Sequence, residues 1–194
     1  MTFEHTLEGY ENWRKAVETE LMWRELYRKR NVWKVKDNII LDTNGHAINH
    51  CGYSLLQEVL EKIDFDKIGP KEQLAEIVYF NEPVGYQECV ETSDTDQIIY
   101  LQRSNRANVS RFVLDRIPTP CNSVFVVLRR IADTNKYAFI TAFVGVKSGK
   151  EPWDRGAQKS DVEFWQHHAL VAPTGVNMCD DLGDEGYWNK AFTQ

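Results

Sequence analysis

Four of the five histidines stand in two close pairs, and their side chains are the ones best suited to proton transfer. His46 and His50 are four residues apart, and His167 and His168 are adjacent. Imidazole has an ordinary pKa of about 6.5, so it can give or take a proton near neutral pH. On a helix, the i,i+4 spacing of the first pair would place both side chains on one face. The pairs are candidates for acid–base catalysis, and the alternative is that they pack against or cap helices.

A run of arginines lies between the two histidine pairs. Residues 103–130 hold six arginines and one acid, Asp115, whereas the whole chain has a net charge of −6. Guanidinium groups bind phosphate oxygens in a bidentate manner. Arg103, Arg106 and Arg111, with serines and asparagines between them, therefore form a candidate phosphate clamp of exposed side chains. The alternative is a solvated turn with salt bridges to the acidic N-terminal half.

Thr141 is the candidate contributed by a strand. Residues 140–145 alternate so that Thr141 and Phe143 lie on one face, and Ile140 and Ala142 on the other. A hydroxyl beside arginines would help to orient a phosphate. Otherwise the threonine is simply a favourable β residue.

A metal site is another use of His46 and His50. The segment lacks the adjacent glutamate of the zinc-protease motif His-Glu-x-x-His, so acids such as Asp180 or Asp181 would have to complete the site. The chain also contains no glycine-rich phosphate loop and no dinucleotide fingerprint. We predict that no metal or cofactor is used, and a metal-dependent hydrolase remains an alternative.

Hydrophobic periodicity predicts the elements that position these residues. Helical spacing covers 6–30 and 55–63, Pro70 favours a short helix over 71–79, and the spacing Ser160 to Glu163 of a capping box favours a helix over 162–170. Period-two patterns predict five strands, at 86–90, 97–103, 111–114, 123–131 and 136–146. The expected fold is α+β: N-terminal helices, then a twisted, mainly antiparallel sheet and a short C-terminal helix. We expect one domain over 1–194, with a helical extension over 1–40, a core over 42–172 and an acidic tail over 174–194.

The cysteines and the apolar content bear on the compartment. Cys51, Cys89, Cys121 and Cys179 are far apart and form no Cys-x-x-Cys pair, which favours free buried thiols in a reducing compartment. No stretch approaches the roughly 20 apolar residues that cross a bilayer, and the first residues lack the features of a signal peptide. We expect a cytoplasmic protein without a membrane partner.

Taken in order, these segments resemble the barnase–EndoU–colicin–RelE superfamily of metal-independent ribonucleases, particularly its bacterial toxin-like branches. The resemblance covers about residues 42–172. It implies helices before a compact antiparallel sheet, with an active site of varying His, Arg, Lys, Ser, Thr and Tyr residues on the sheet face. Its segments are His-Ala-Ile-Asn-His at 46–50, Gln-Arg-Ser-Asn-Arg at 102–106 with Ser-Arg at 110–111, Ile-Thr-Ala-Phe at 140–143 and Phe-Trp-Gln-His-His-Ala-Leu at 164–170.

The resemblance implies RNA as the substrate, with transfer RNA among the candidates, and a neutralising immunity or antitoxin protein as a candidate partner. His50 would take the proton of the ribose 2′-hydroxyl, and Arg103, Arg106 or Arg111 would stabilise charge on the phosphate. Thr141 or a second histidine, His46 or His168, would support the leaving group. The main alternative is a binding module that uses the basic 103–130 sector without chemistry.

Overall fold

The chain folds into two compact units, each built from two segments. The computed structural model describes residues 2–26, 32–36, 39–43, 48–70, 72–102, 108–132, 134, 136–173 and 186–193, and between 21 and 49 only the backbone. Unit 1 comprises Met1–Gln87 and Pro120–Val146, and unit 2 comprises Glu88–Thr119 and Lys147–Gln194.

Helices and strands alternate irregularly along the described ranges. The helices are α1 (Leu7–Leu26), α2 (Ile48–Cys51), α3 (Tyr53–Lys62), α4 (Lys159–Gln166) and α5 (Gly186–Phe192). The strands are β1 (Val32–Lys36), β2 (Ile39–Thr43), β3 (Gln73–Tyr79), β4 (Gly85–Gln87), β5 (Cys89–Glu91), β6 (Ile98–Gln102), β7 (Val109–Val113), β8 (Thr119–Cys121), β9 (Ser123–Arg130), β10 (Lys136–Val144) and β11 (His168–Val171). Among the helices of the described ranges, none combines the length and apolar character needed to cross a bilayer.

Unit 1 is built on a sheet of strand order β1-β2-β10-β9-β3, in which only the β2–β10 pair is parallel. One face of this sheet is covered by an amphipathic α3, whose Leu56, Val59 and Leu60 are buried. These side chains share a core with Val126 and Leu128 of β9. The apolar stripe of α3 and alternate residues of β9 therefore form the core of unit 1.

A β-bulge in β10 decides which of its side chains face this core. Phe139 pairs with Leu128 and Thr141 with Val127, so Ile140 is an extra residue without a partner on β9. Thr141 and Phe143 share a face, as the alternation predicted, because they pair with Val127 and Phe125. Ile140 does not join Ala142 on the other face as expected, because the bulge interrupts the alternation at that residue.

Unit 2 contains a smaller sheet of strand order β5-β11-β7-β6, with β11 and β7 parallel and the other pairs antiparallel. Val109 of β7 shares a buried cluster with Trp165 of α4 and Trp188 of α5. The rings of the two tryptophans meet edge to face, with centroids 5.7 Å apart. The two helices therefore pack against the sheet through their aromatic side chains.

The predicted α+β class with a mainly antiparallel sheet is confirmed, and the strands expected over 123–131 and 136–146 are β9 and β10, which pair antiparallel. The short helix predicted over 71–79 is wrong. Residues 73–79 form β3, which pairs with β9 along its whole length. Leu74 and Val78 pack against the core from this strand, so tertiary pairing outweighed the local signal of Pro70.

The helix predicted over 162–170 ends too late. α4 begins at Lys159, three residues ahead of the expected start, because the backbone N–H of Gln158 donates to Oδ2 of Asp161 at 2.8 Å. His167 is the C-cap residue, and His168–Val171 form β11 instead of the last helical turn. The two histidines therefore do not project from a common helix.

Two terminal expectations also need correction. The N-terminal 40 residues are not purely helical, since β1 and the start of β2 follow α1. The predicted acidic tail contains α5, whose Trp188 is fully buried. Aromatic spacing alone did not signal this helix, because its apolar residues acquire their partners from distant β6 and β7.

Candidate active site

The helix that precedes His168 orients its imidazole ring and selects one tautomer of it. Its Nδ1 lies 2.8 Å from the carbonyl oxygen of Phe164, and its ring stacks on the Phe164 ring with centroids 4.0 Å apart. A carbonyl oxygen only accepts hydrogen bonds, so Nδ1 carries the proton and donates it. In the neutral ring, Nε2 is then the unprotonated nitrogen. In this tautomer, Nε2 of the half-buried imidazole is the ring nitrogen with a lone pair for a proton.

Arg111 is tied to the backbone of His168. Its Nε donates to the His168 carbonyl oxygen at 3.1 Å, and its guanidinium carbon lies 5.7 Å from the centroid of the Phe192 ring. Strand alternation places the side chain of Arg111 on the face of Val113, whereas the side chain of His168 lies on the face of Leu170. The contact therefore runs through the carbonyl, and Arg111 is half-buried instead of exposed.

Tryptophan indoles fix the elements that carry these two residues. Nε1 of Trp153 and Nε1 of Trp188 both donate to the Val109 carbonyl oxygen, at 2.8 Å and 3.0 Å. Nε1 of Trp165 donates to the Gly149 carbonyl oxygen at 2.9 Å. Buried indole N–H groups that are satisfied in this way anchor β7 and α4. These hydrogen bonds of the tryptophans therefore help to fix the positions of Arg111 and His168.

His50 and Thr141 both belong to unit 1, but the structure does not bring them to one face of its sheet. His50 is half-buried on α2, and its neighbour Cys51 is part of the core. Thr141 pairs with Val127, on the face opposite to that core. These two candidates therefore stand on different sides of β10.

The basic sector of the sequence is shared between the two units. Within unit 2, Arg116 forms a salt bridge with Asp96, with Nη1 at 2.8 Å from Oδ1. Within unit 1, Arg130 donates to the carbonyl oxygens of Ile68 and Thr134, both at 3.0 Å. Each of these two guanidinium groups therefore stabilises the fold within its own unit.

Several predicted candidates lie outside the described residues: His46, Arg103, Arg106, Asp180 and Asp181. Among the residues that are described, no group of three His, Cys, Asp or Glu side chains is arranged to hold a metal ion.

At the three described positions, 51, 89 and 121, the cysteines form no disulfide; Cys51 is buried as expected, whereas Cys89 and Cys121 are half-buried. Burial raises the pKa of Cys51 far above its ordinary value. Burial and the charge of nearby Glu151 raise the pKa of Cys89 to about 12. A thiol needs its thiolate form to attack, so Cys51 and Cys89 are structural residues.

The sequence prediction named Arg111 and His168 as candidates but not the residues that they contact. Phe164 stands four residues before His168, and this i,i+4 spacing was the available signal for the ring stack. Phe192 carried no comparable signal, because it reaches Arg111 from the far end of the chain. Comparisons with protein-family models, with curated proteins and with solved structures found no match to this chain.

Proposed function

We propose that this protein is a metal-independent endoribonuclease in which His168 is the general base. The observation that carries the proposal is the hydrogen bond from Nδ1 of His168 to the Phe164 carbonyl, which leaves Nε2 as the proton acceptor. Substrate recognition by a ribonuclease rests on the 2′-hydroxyl, the group that distinguishes RNA from DNA.

The proposed step is internal transesterification. Nε2 of His168 takes the proton of a ribose 2′-hydroxyl, and the 2′-oxygen forms a bond to the adjacent phosphorus. The bond from phosphorus to the 5′-oxygen breaks, and that oxygen takes a proton from the imidazolium or from water. The products are a 2′,3′-cyclic phosphate and a free 5′-hydroxyl. The base contributes about 10²–10⁴-fold to such a rate.

The arginines have separate parts in this proposal. Arg111 is a positioning residue, because its contact is with the His168 carbonyl and its guanidinium rests on Phe192. Arg103 or Arg106 supplies the cation for the phosphate, a role for which the sequence offered Arg103, Arg106 and Arg111. A preorganised cation of this kind contributes about a hundredfold or more to the rate.

The test is cleavage of labelled RNA by the full-length chain in excess chelator. The variant His168→Asn keeps an N–H donor for the Phe164 carbonyl but has no base at the Nε2 position, so it should fold normally and lose about a hundredfold or more of the rate. His167→Ala is the matched control, because His167 is the exposed neighbour. Full activity of His168→Asn would remove this base from the mechanism, and His50→Ala, the variant favoured by the sequence, would become the next test.

The same assay separates the alternatives. RNA in which the 2′-hydroxyl at the cleaved position is absent should resist cleavage. Activity that disappears in chelator and returns with zinc or manganese would favour the metal-dependent hydrolase. RNA binding without any cleavage would favour the binding module.

A further inference from the structure

β3 is an edge strand whose outer backbone groups are open. It pairs only with β9 in the strand order of its sheet. The N–H of Arg130 donates to the Glu72 carbonyl, and the N–H of Phe80 donates to the Asn122 carbonyl, so the even-numbered residues face β9. Hydrogen bonding alternates along an antiparallel pair, and the odd-numbered residues therefore point their backbone N–H and C=O groups outward. These residues are Gln73, Ala75, Ile77 and Tyr79, and within the described ranges their outward groups have no partner.

Of the devices that usually prevent strand addition, β3 has one, the charged side chain of Glu76 in its middle. Proteins protect their edges with charged side chains, lysine above all, and with proline, bulges or very short strands. β3 is seven residues long, contains neither proline nor lysine, and keeps an unbroken register with β9. Tyr79 at its end is 63% exposed. The edge is therefore regular enough to accept another strand.

Charge decides what kind of strand fits. Residues 72–82 contain three glutamates, Glu72, Glu76 and Glu82, and no basic residue, and all three are exposed. The nearest exposed arginine on the neighbouring strand, Arg129, pairs with Gln73 at the beginning of β3. A second copy paired about the middle of β3 would place Glu76 opposite Glu76, and like charges in this position are destabilising. A basic strand would instead form opposite-charge pairs along the same edge.

We propose that β3 is a docking edge for an extended segment of another protein, rich in lysine or arginine, that adds to the unit 1 sheet as a strand beside β3. The outward backbone groups supply the hydrogen bonds of this β-augmentation. Glu76, at the middle of the strand, supplies the charge that selects a basic segment over a second copy of the chain.

The first test uses a short synthetic peptide in which lysine and valine alternate, added to the isotope-labelled full-length chain. The expected result is saturable binding in which the amide protons of Ala75, Ile77 and Tyr79 become protected from exchange. The same peptide with glutamate in place of lysine should bind at least about tenfold more weakly. Binding without added protection of these amides would overturn the proposal, because the peptide would then occupy another surface.

The second test is the substitution Ile77→Pro, which removes an outward N–H but no hydrogen bond to β9. It should keep the melting temperature close to that of the parent chain and weaken binding of the lysine–valine peptide about tenfold. Ile77→Val, which keeps the N–H, is the matched control and should bind normally. Glu76→Lys should also weaken binding. The contrary outcome is a parent chain that does not bind the peptide but associates with itself, with this self-association abolished by Ile77→Pro. That result would overturn the proposal of a basic partner in favour of a second copy of the chain.

Discussion

At the scale of single residues, Arg111 shows how far a side chain's surroundings depart from what its type suggests. The sequence predicted an exposed arginine. In the structure it is half-buried, with its Nε on the His168 carbonyl and its guanidinium over Phe192. We therefore expect Arg111→Ala to lower the free energy of unfolding by about 1–3 kcal/mol, measured by urea denaturation.

Arg155→Ala is the control for this prediction, because Arg155 is an exposed arginine in the same unit. Its loss should change the free energy of unfolding by less than about 0.5 kcal/mol. Equal effects of the two substitutions would mean that the contacts of Arg111 contribute nothing to stability.

The candidate site was predictable as a set of residue types, but its chemical form was not. The adjacent pair at 167 and 168 was visible in the sequence, yet a helix was expected there. Only the end of α4 at Gln166 places the Phe164 carbonyl under Nδ1 of His168 and leaves His167 exposed. A backbone carbonyl has no identity in the sequence, so the tautomer of His168 could not be read from it.

At the scale of elements, a carboxylate from α1 caps the beginning of α3. Oε2 of Glu20 accepts from the backbone N–H of Tyr53 at 2.6 Å and of Ser54 at 3.2 Å, and Oε1 accepts from the Ser54 hydroxyl. Gly52 precedes α3 with φ 75°, and a Cβ there would lie 2.6 Å from Oε2 of Glu20. The cap satisfies N–H groups that the helix itself cannot satisfy.

Removal of this cap should destabilise unit 1. We expect Glu20→Ala to lower the free energy of unfolding by about 1–2 kcal/mol, because it leaves the first N–H groups of α3 without an anionic acceptor. Glu18→Ala, an exposed change on the same helix, is the control and should be nearly neutral. Chemical denaturation of both variants would show no difference if Glu20 were a surface residue without a capping role.

Asp161 gives α4 a dependence on pH. The N–H of Gln158 is the main cause that lowers the pKa of Asp161, against partial desolvation, with further lowering by the N–H of Lys150 and the charges of Lys147 and Lys150. The folded pKa is below that of an unfolded aspartate, about 3.9. The carboxylate therefore stabilises the fold fully above that value, and this contribution is lost as the pH falls through the folded pKa.

Asp161→Asn should accordingly reduce stability at neutral pH and flatten the fall in stability below about pH 4. The two chains should converge at the lowest pH at which the parent chain remains folded. The measurement is the free energy of unfolding as a function of pH, with Asp94→Asn in an exposed turn as the control. A variant whose curve stays parallel to that of the parent chain would contradict the capping role.

Local patterns predicted those elements whose partners are close in the sequence. The hairpin of β9 and β10 is joined by a short connection, and both strands were found. β11 has four residues and pairs with β5 and β7, more than 50 residues earlier, so no neighbouring residues indicate a strand there. β3 likewise becomes a strand through β9, about 50 residues later. Distant pairing, in both cases, decided what local propensity left open.

At the scale of the whole molecule, the last helix belongs to the interior of unit 2. Trp188 is fully buried, donates to the Val109 carbonyl and contacts the ring of Tyr100 at 5.7 Å between centroids. We expect Trp188→Ala to lower the free energy of unfolding by about 3–5 kcal/mol, measured by circular dichroism in denaturant. Tyr187→Ala, 58% exposed on the same helix, should have a small effect. A small loss of unfolding free energy from both substitutions would mean that α5 is only loosely attached to unit 2.

The division into two units could not be read from composition. The chain passes from one unit to the other after Gln87, Thr119 and Val146. No Gly/Ser-rich linker marks these points, and strands begin or end close to each of them. A prediction that relies on linkers therefore treats the chain as one domain, as the sequence analysis did.

The parallel pairing of β2 with β10 also has a consequence for synthesis of the chain on the ribosome. β2 ends at Thr43, whereas β10 begins at Lys136, so more than 90 residues separate two neighbouring strands of one sheet. α3 emerges long before β9 and β10, the strands against which its apolar stripe packs. During much of its translation the nascent chain therefore lacks the strands that pack on this stripe, and contacts so distant in sequence form slowly. This makes the growing polypeptide a candidate client of chaperones that bind exposed apolar helices.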